Sequence, residues 1–178
     1  HPALDQARLA EGKKNARRLH AWIAFLDECG FLMAPLLRRT WSRCGQTPIL
    51  YQRGRGLQKV SAIAALCVSP DRDRVRMYFR LYPDANIHGE EVIAFLRALK
   101  RHLGAVCLVW DHLQAHRARR TQGFLDRTPA LHQTYFPSYA PELNPVEYGW
   151  SWLKTNPLSN LACLDLDTLT RTTRRHGR

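Results

Sequence analysis

The run Ala105-Val106-Cys107-Leu108-Val109-Trp110 is apolar at six successive positions and stops abruptly at Asp111. Such a run, with no polar alternation, predicts a strand buried on both faces, as in a sheet covered by helices. A second run, Ala21 to Leu26, ends the same way at Asp27. Carboxylates at the ends of buried strands are costly unless something compensates them, and a pair of divalent cations is the most productive compensation. A third acid, Glu147, stands at a predicted helix start, Asn144-Pro145-Val146-Glu147.

The pattern along the chain predicts a helix over 3–20, strands over 21–27 and 31–37, and a loop-rich stretch containing Gly45, Pro48, Gly54 and Gly56. Residues 57–68 are apolar with β-branched side chains, and 74–82 alternate with period two; both read as strands. Val92, Phe95, Leu96, Leu99 and Leu103 fall at helical spacing, which predicts an amphipathic helix over 88–103. A strand over 105–110, a basic helix over 113–127, a short strand over 131–136 and helices over 144–155 and 165–175 complete the order. Strands followed by alternating helix and strand predict an α/β fold, a mixed sheet with helices on both faces, and a ribonuclease-H-like arrangement has this order.

The chain of 178 residues suits one domain with one core, and its 45% hydrophobic content argues against disorder. Its net charge of +12 calls for an anionic partner, phosphate or an anionic membrane. No apolar run approaches the roughly 20 residues a spanning helix needs, so no membrane span is expected. Five cysteines without a Cys-x-x-Cys pair argue against a disulfide framework and a zinc ribbon, and for a reducing cytoplasm. The first residue is His1, not methionine, so the chain is expected to be part of a longer reading frame.

Each acid has a plainer reading beside the catalytic one. Asp27 could simply enter a turn, but alternation puts it on the strand face of Ile23 and Phe25, with Glu28 on the other face. Asp111 lies where sites form in open α/β sheets, beyond a strand's carboxyl end, yet Asp is also a favoured N-cap for the basic helix after it. Glu147 fits a capping box, with Asn144 at the N-cap and Pro145 at the first helical position. The helical wheel adds that Glu147, Ser151 and Lys154 share a polar stripe beside the apolar face of Val146, Trp150 and Leu153. Together the three acids match a two-metal site, where carboxylates hold two Mg²⁺-like cations roughly 3.5–4 Å apart for in-line displacement at phosphorus. Asp71, Asp73, Asp84, Glu90, Glu91, Asp126 and Glu142 read as surface.

Several strings carry a family resemblance. Phe25-Leu26-Asp27-Glu28-Cys29-Gly30-Phe31 forms a first motif, followed by Arg39-Thr40-Trp41 and Gly45-Gln46-Thr47-Pro48. Val109-Trp110-Asp111-His112 with His116 forms a second. Phe136-Pro137-Ser138-Tyr139-Ala140-Pro141-Glu142-Leu143-Asn144-Pro145-Val146-Glu147, with Trp150 and Lys154 in register, forms a third. These resemble the DDE transposases of the insertion-sequence and mariner-type superfamily, integrase-like recombinases, over most of the chain. The 35 residues between Asp111 and Glu147 are close to the superfamily's usual spacing.

The resemblance implies a ribonuclease-H-like catalytic domain over 21–178, with Asp27, Asp111 and Glu147 as catalytic residues and as ligands of two Mg²⁺ or Mn²⁺ ions. It implies DNA cleavage at transposon ends that leaves a 3′-hydroxyl, then strand transfer into target DNA, by a homodimer on DNA in a bacterial cytoplasm, near the nucleoid. The family's N-terminal helix-turn-helix modules are missing, so 1–20 read as a lead-in, the remnant of a linker to such a module. His112 stands where the family usually has Asn. Another nuclease on the same fold, or an inactive or domesticated DNA-binding relic, are the alternatives.

Arg38, Arg39, Arg43, Arg53, Arg55 and Lys59 fall between Cys29 and Pro70 with no acid among them, beside Trp41 and Tyr51 as stacking partners. With Arg117, Arg119, Arg120 and Lys154 they form the candidate DNA track; a solvated basic face is the plainer reading. His112 and His116 have the i, i+4 spacing of a zinc pair but no third ligand nearby, and His116 is expected at the active-site edge or on phosphate. His112 and Asn144 are supporting candidates. Trp22, Trp110, Trp150 and Trp152 are expected to build the core.

Overall fold

The computed structural model describes residues 12, 14–34, 36–51, 58–137 and 140–177. A five-stranded sheet runs in the order β3-β2-β1-β4-β5. Its strands are β1 (Trp22–Leu32), β2 (Lys59–Val68), β3 (Val75–Pro83), β4 (Val106–Trp110) and β5 (Leu131–Tyr135). The sheet is mixed. Met33 N–H donates to Gln58 O, and Ser69 N–H to Arg74 O, closing the β1–β2 and β2–β3 hairpins. β1 and β4 are parallel, with Trp22 opposite Val106 and Phe25 opposite Val109, and β5 is parallel to β4. The flanking helices are α1 (Gly89–Leu103), α2 (Gln114–Arg117), α3 (Arg119–Asp126), α4 (Pro145–Thr155) and α5 (Leu166–His176), with a 3-10 turn at Pro141–Leu143.

β4 is the strand that the apolar run demands: all five residues are buried. A covered parallel sheet leaves neither face to water, so no polar alternation survives in it. α1 buries Val92, Ile93, Phe95, Leu96 and Leu99 along one stripe. It starts with a capping box in which His88 N–H donates to Glu91 Oε2 at 2.8 Å, and it ends at Gly104, whose φ of 78° suits a residue without Cβ.

The chain divides into two compact units. One takes in residues up to Glu28, Ile63–Arg80 and Ile87–Glu147; the other Cys29–Ala62, Leu81–Asn86 and Tyr148–Arg178. The first holds the buried cluster Ala24, Leu26, Ile63, Leu96, Leu108 and Trp110. In the second, Phe31 meets Trp150 edge-on at 5.8 Å, and Leu153, Leu158 and Leu169 are buried. All five cysteines are free thiols. Among the described residues no helix is long and apolar enough to cross a membrane.

Three expectations need correcting. The strands expected at 21–27 and 31–37 are one strand to Leu32; Phe31 is buried, and residues 36–51 carry no regular hydrogen-bonded element beyond a turn. The helix expected over 113–127 is two helices, broken at Ala118, whose φ of −55° and ψ of 136° are extended. Side chains take up the carbonyls left free at the break: Thr121 Oγ1 donates to Ala115 O at 2.7 Å and Gln122 Nε2 to His116 O at 2.7 Å. Trp152 is half exposed at 51%, because it falls off the buried face of α4 on which Val146, Trp150 and Leu153 lie. Of the helix expected over 3–20, only residues 12 and 14–18 are described as helical; residues 1–11 and 13 lie outside the described residues.

Leu108 is fully buried at the middle of β4, which lies between β1 and β5. Leu108→Ala is expected to cost about 2–5 kcal/mol of unfolding free energy, read from the midpoint of a urea titration. A loss below about 1 kcal/mol would mean that β4 does not anchor the core.

Candidate active site

The parallel pairing of β1 and β4 positions the two aspartates. Asp27 and Asp111 each lie two residues beyond the paired Phe25 and Val109, so they stand level with each other, Asp27 inside β1 and Asp111 just past the end of β4. Asp27 is buried, at 8% exposure, whereas Asp111 is open to solvent. The third acid arrives through Asn144. Buried at the start of α4, its Nδ2 donates to Leu26 O at 3.5 Å and its Oδ1 accepts from Val146 N–H at 3.2 Å. One side chain thereby caps the helix and ties its first turn to the backbone beside Asp27. Glu147, exposed on that turn, follows three residues later.

The electrostatics record how these acids share a field. Burial pushes the Asp27 carboxyl up to about 7, and the negative charges of Glu147, Glu28 and Asp111 push in the same direction. An acid surrounded by acids in a poorly solvated position holds its proton. A hard divalent cation is the partner whose oxygen chemistry fits this donor set. Among the described residues, no group of three or more His, Cys, Asp or Glu side chains is already gathered as a metal site. One reason is visible at Asp111. Its Oδ1 accepts from Leu113 N–H at 2.9 Å and faces His116 Nδ1 at 2.9 Å. Burial would raise the Asp111 carboxyl, but these hydrogen bonds hold it below the usual value.

His116 is fully buried, and its ring lies 4.2 Å from that of Trp110, tilted by 11°. Nε2 faces Glu28 Oε1 at 2.9 Å. Burial alone would lower its pKa, but the hydrogen bonds to Asp111 and Glu28 raise it to about 9. Both ring nitrogens are engaged inside the fold, so the expected contact of His116 with phosphate is corrected to an internal role. His112 is exposed and stacks on Tyr135 at 4.5 Å.

Glu28 is the residue that sequence reasoning passed over. Alternation puts it on the face away from Asp27, and it is on that face that His116 packs against Trp110. No local pattern announces a pairing across 88 positions.

The basic candidates fall in both units. Arg38, Arg39 and Arg43 are exposed in the irregular segment, Lys59 is half-buried at the start of β2, and Lys154 is exposed on α4. The Arg38 guanidinium donates to Thr155 O at 3.3 Å, and Asn160 brackets its backbone from both sides. Arg117, Arg119 and Arg120 are exposed on α2 and α3, Arg120 being paired with Glu90. Trp41 and Tyr51 are almost wholly exposed, at 100% and 83%. Arg53 and Arg55 lie outside the described residues.

The Asp27 shift makes a pH prediction. The folded protein keeps this proton where the unfolded chain has released it, so metal-free stability falls as pH rises from 3.8 to about 7. The penalty above that window is roughly 4 kcal/mol. Asp27→Asn is expected to abolish this part of the slope and to melt higher than the wild type at pH 8. His116 adds a second window: its contribution is intact below pH 6.5 and lost as pH passes about 9. Melting temperatures of both proteins from pH 4 to 9 check this; a wild-type curve parallel to that of Asp27→Asn would refute the assignment.

No curated protein matches the sequence. Among solved structures, the Mos1 transposase paired-end complex with the left transposon end aligns with a TM-score of 0.63 at 18% identity, over 95% of this chain and 52% of that one. The Mos1 strand transfer complex gives 0.63 at 17%, over 96% and 52%. The catalytic domain of Mos1 mariner transposase gives 0.59 at 14%, over 96% and 78%. The chain thus spans about half the length of the Mos1 chains in those two complexes, and at such identities the likeness is one of fold, the ribonuclease-H-like fold of the Mos1 catalytic domain. The family model described as DDE superfamily endonuclease matches residues 22–170, from the first residue of β1 into α5, and the chain belongs to that family.

Proposed function

We propose that this chain is the catalytic domain of a transposase that cuts DNA at transposon ends and transfers the freed 3′-hydroxyl to target DNA. The observation that carries the reading is the placement of Asp27, buried inside β1 and level with Asp111 beside it, with Asn144 tying the first turn of the Glu147 helix to Leu26 O. Asp27, Asp111 and Glu147 would hold two Mg²⁺ or Mn²⁺ ions. Bound there, the ions supply positive charge at both the attacking and the leaving oxygen of an in-line displacement at phosphorus. Similar Mos1 paired-end complexes are described with Mn and with Mg.

The chain's own residues do the rest. Asp27 and Asp111 are set by neighbouring strands and Glu147 by a capped helix, so the ligand geometry rests on rigid elements rather than loops. Arg39, Arg43, Arg117 and Arg119 are exposed cations suited to phosphate, which positions a duplex without reading its sequence. His112, held flat against Tyr135, borders the second aspartate where DNA would lie. Similar Mos1 structures include paired-end complexes, and a homodimer on DNA is the corresponding proposal here.

Calorimetric titration with Mn²⁺ in the presence of duplex DNA tests the reading. Wild type is expected to bind, and Asp111→Asn to lose binding. With Mn²⁺, supercoiled plasmid is expected to be nicked, and Asp27→Asn or Glu147→Gln to slow nicking at least about 100-fold, as loss of charge stabilisation does at other sites. DNA binding without metal binding or nicking would favour the relic. Replacing Arg117 and Arg119 by Gln is expected to weaken duplex binding on all sequences and to flatten the log–log salt slope by roughly 0.9 for each phosphate that the variant no longer neutralises. An unchanged slope would remove these arginines from the DNA track.

A further inference from the structure

We propose that Glu28 is a positioning residue: acting through His116, it sets the orientation in which Asp111 presents its carboxylate. The inference rests on the reading of Asp111 as a metal ligand given above. Glu28 Oε1 and Asp111 Oδ1 stand on opposite sides of one imidazole, each at 2.9 Å from a ring nitrogen. A carboxylate only accepts, so both nitrogens must carry hydrogen for both hydrogen bonds to be made. The ring cannot turn to serve one partner without abandoning the other. Trp110 fixes its plane by stacking at 4.2 Å, and full burial of His116 keeps water from replacing either partner.

The chain around the ring is fastened as well. Nδ1 also faces Asp111 O at 3.2 Å, His116 N–H donates to Leu113 O at 3.0 Å, and Gln122 Nε2 holds His116 O at 2.7 Å. Asp111 Oδ1 therefore receives two hydrogen bonds, from His116 and from Leu113 N–H. Oδ2 is left as the oxygen that the relay does not engage, the one available to a cation. Glu28 alternates to the β1 face opposite Asp27, where its charge still raises the Asp27 carboxyl, and its link to Asp111 is the His116 ring. Its influence passes through the ring, and groups that orient ligands in this way are worth about 10–100-fold in metal affinity.

Two substitutions separate orientation from charge. Glu28→Gln removes the charge but keeps an oxygen that can accept from Nε2–H; Glu28→Leu removes both. In Mn²⁺ calorimetry, Glu28→Leu is expected to bind at least about 10-fold more weakly and Glu28→Gln within about 3-fold of wild type. The metal-free proteins give a second readout by nitrogen-15 NMR. Wild type and Glu28→Gln should show two slowly exchanging ring N–H signals for His116, and Glu28→Leu only the Nδ1–H signal. Amide spectra report whether each variant folds. Equal losses of affinity in both variants would mean that Glu28 acts by charge alone and would overturn the proposal, as would wild-type affinity in Glu28→Leu. Wild type that binds no Mn²⁺ would instead overturn the metal reading of Asp111. The ring signals would then decide the relay by themselves, two persisting signals in Glu28→Leu counting against it.

Discussion

The parallel pairing of β1 with β4 puts two aspartates at the same level on adjacent strands, and one of them is buried. Desolvation and repulsion act together there, so the Asp27 carboxyl holds its proton up to about 7. Packing at this end must serve that arrangement. Val106, Leu108 and Trp110 lock β4 into the sheet, and Asn144 fastens the start of α4 to Leu26 O so that Glu147 adds its charge to the same field.

Much of this was legible in the sequence because burial on both faces leaves a plain mark. Ala105 to Trp110 has no polar interruption, and the strand there is wholly buried. The stripe of α1 was equally readable, since one helical face covers the sheet. Where the reading went astray, tertiary contacts overrode local pattern. Separate strands were expected over 21–27 and 31–37, but β1 runs unbroken to Leu32, and its Phe31 packs against Trp150. Residues 113–127 have helical composition throughout, yet Ala118 breaks them in two, with Thr121 and Gln122 capping the carbonyls before the break. Arg120 read as a free cation and is paired with Glu90, 30 positions away.

The three candidate acids stand out in the sequence, whereas the network around them does not. Motif spacing points to Asp27, Asp111 and Glu147, because strand ends and a helix start are local features. His116 was expected at the active-site edge or on phosphate; buried against Trp110, its ring is engaged by Asp111 and Glu28 instead. Glu28 looked like the residue alternation turns away from the site. It is turned away from Asp27, and that same turn brings it to the ring that holds Asp111.

Acids are thus arranged on both faces of β1 with opposite consequences. On one face Asp27 has carboxylates for neighbours, and its proton is retained. On the other, Glu28 has an imidazole that it shares with Asp111, and that shared ring holds the Asp111 carboxyl below its usual value. A cation entering beside Asp27 would meet one carboxylate still to be deprotonated and another already ionised and oriented. Loading would then release the Asp27 proton near neutral pH, whereas hydrogen bonds from His116 and Leu113 already favour the ionised Asp111.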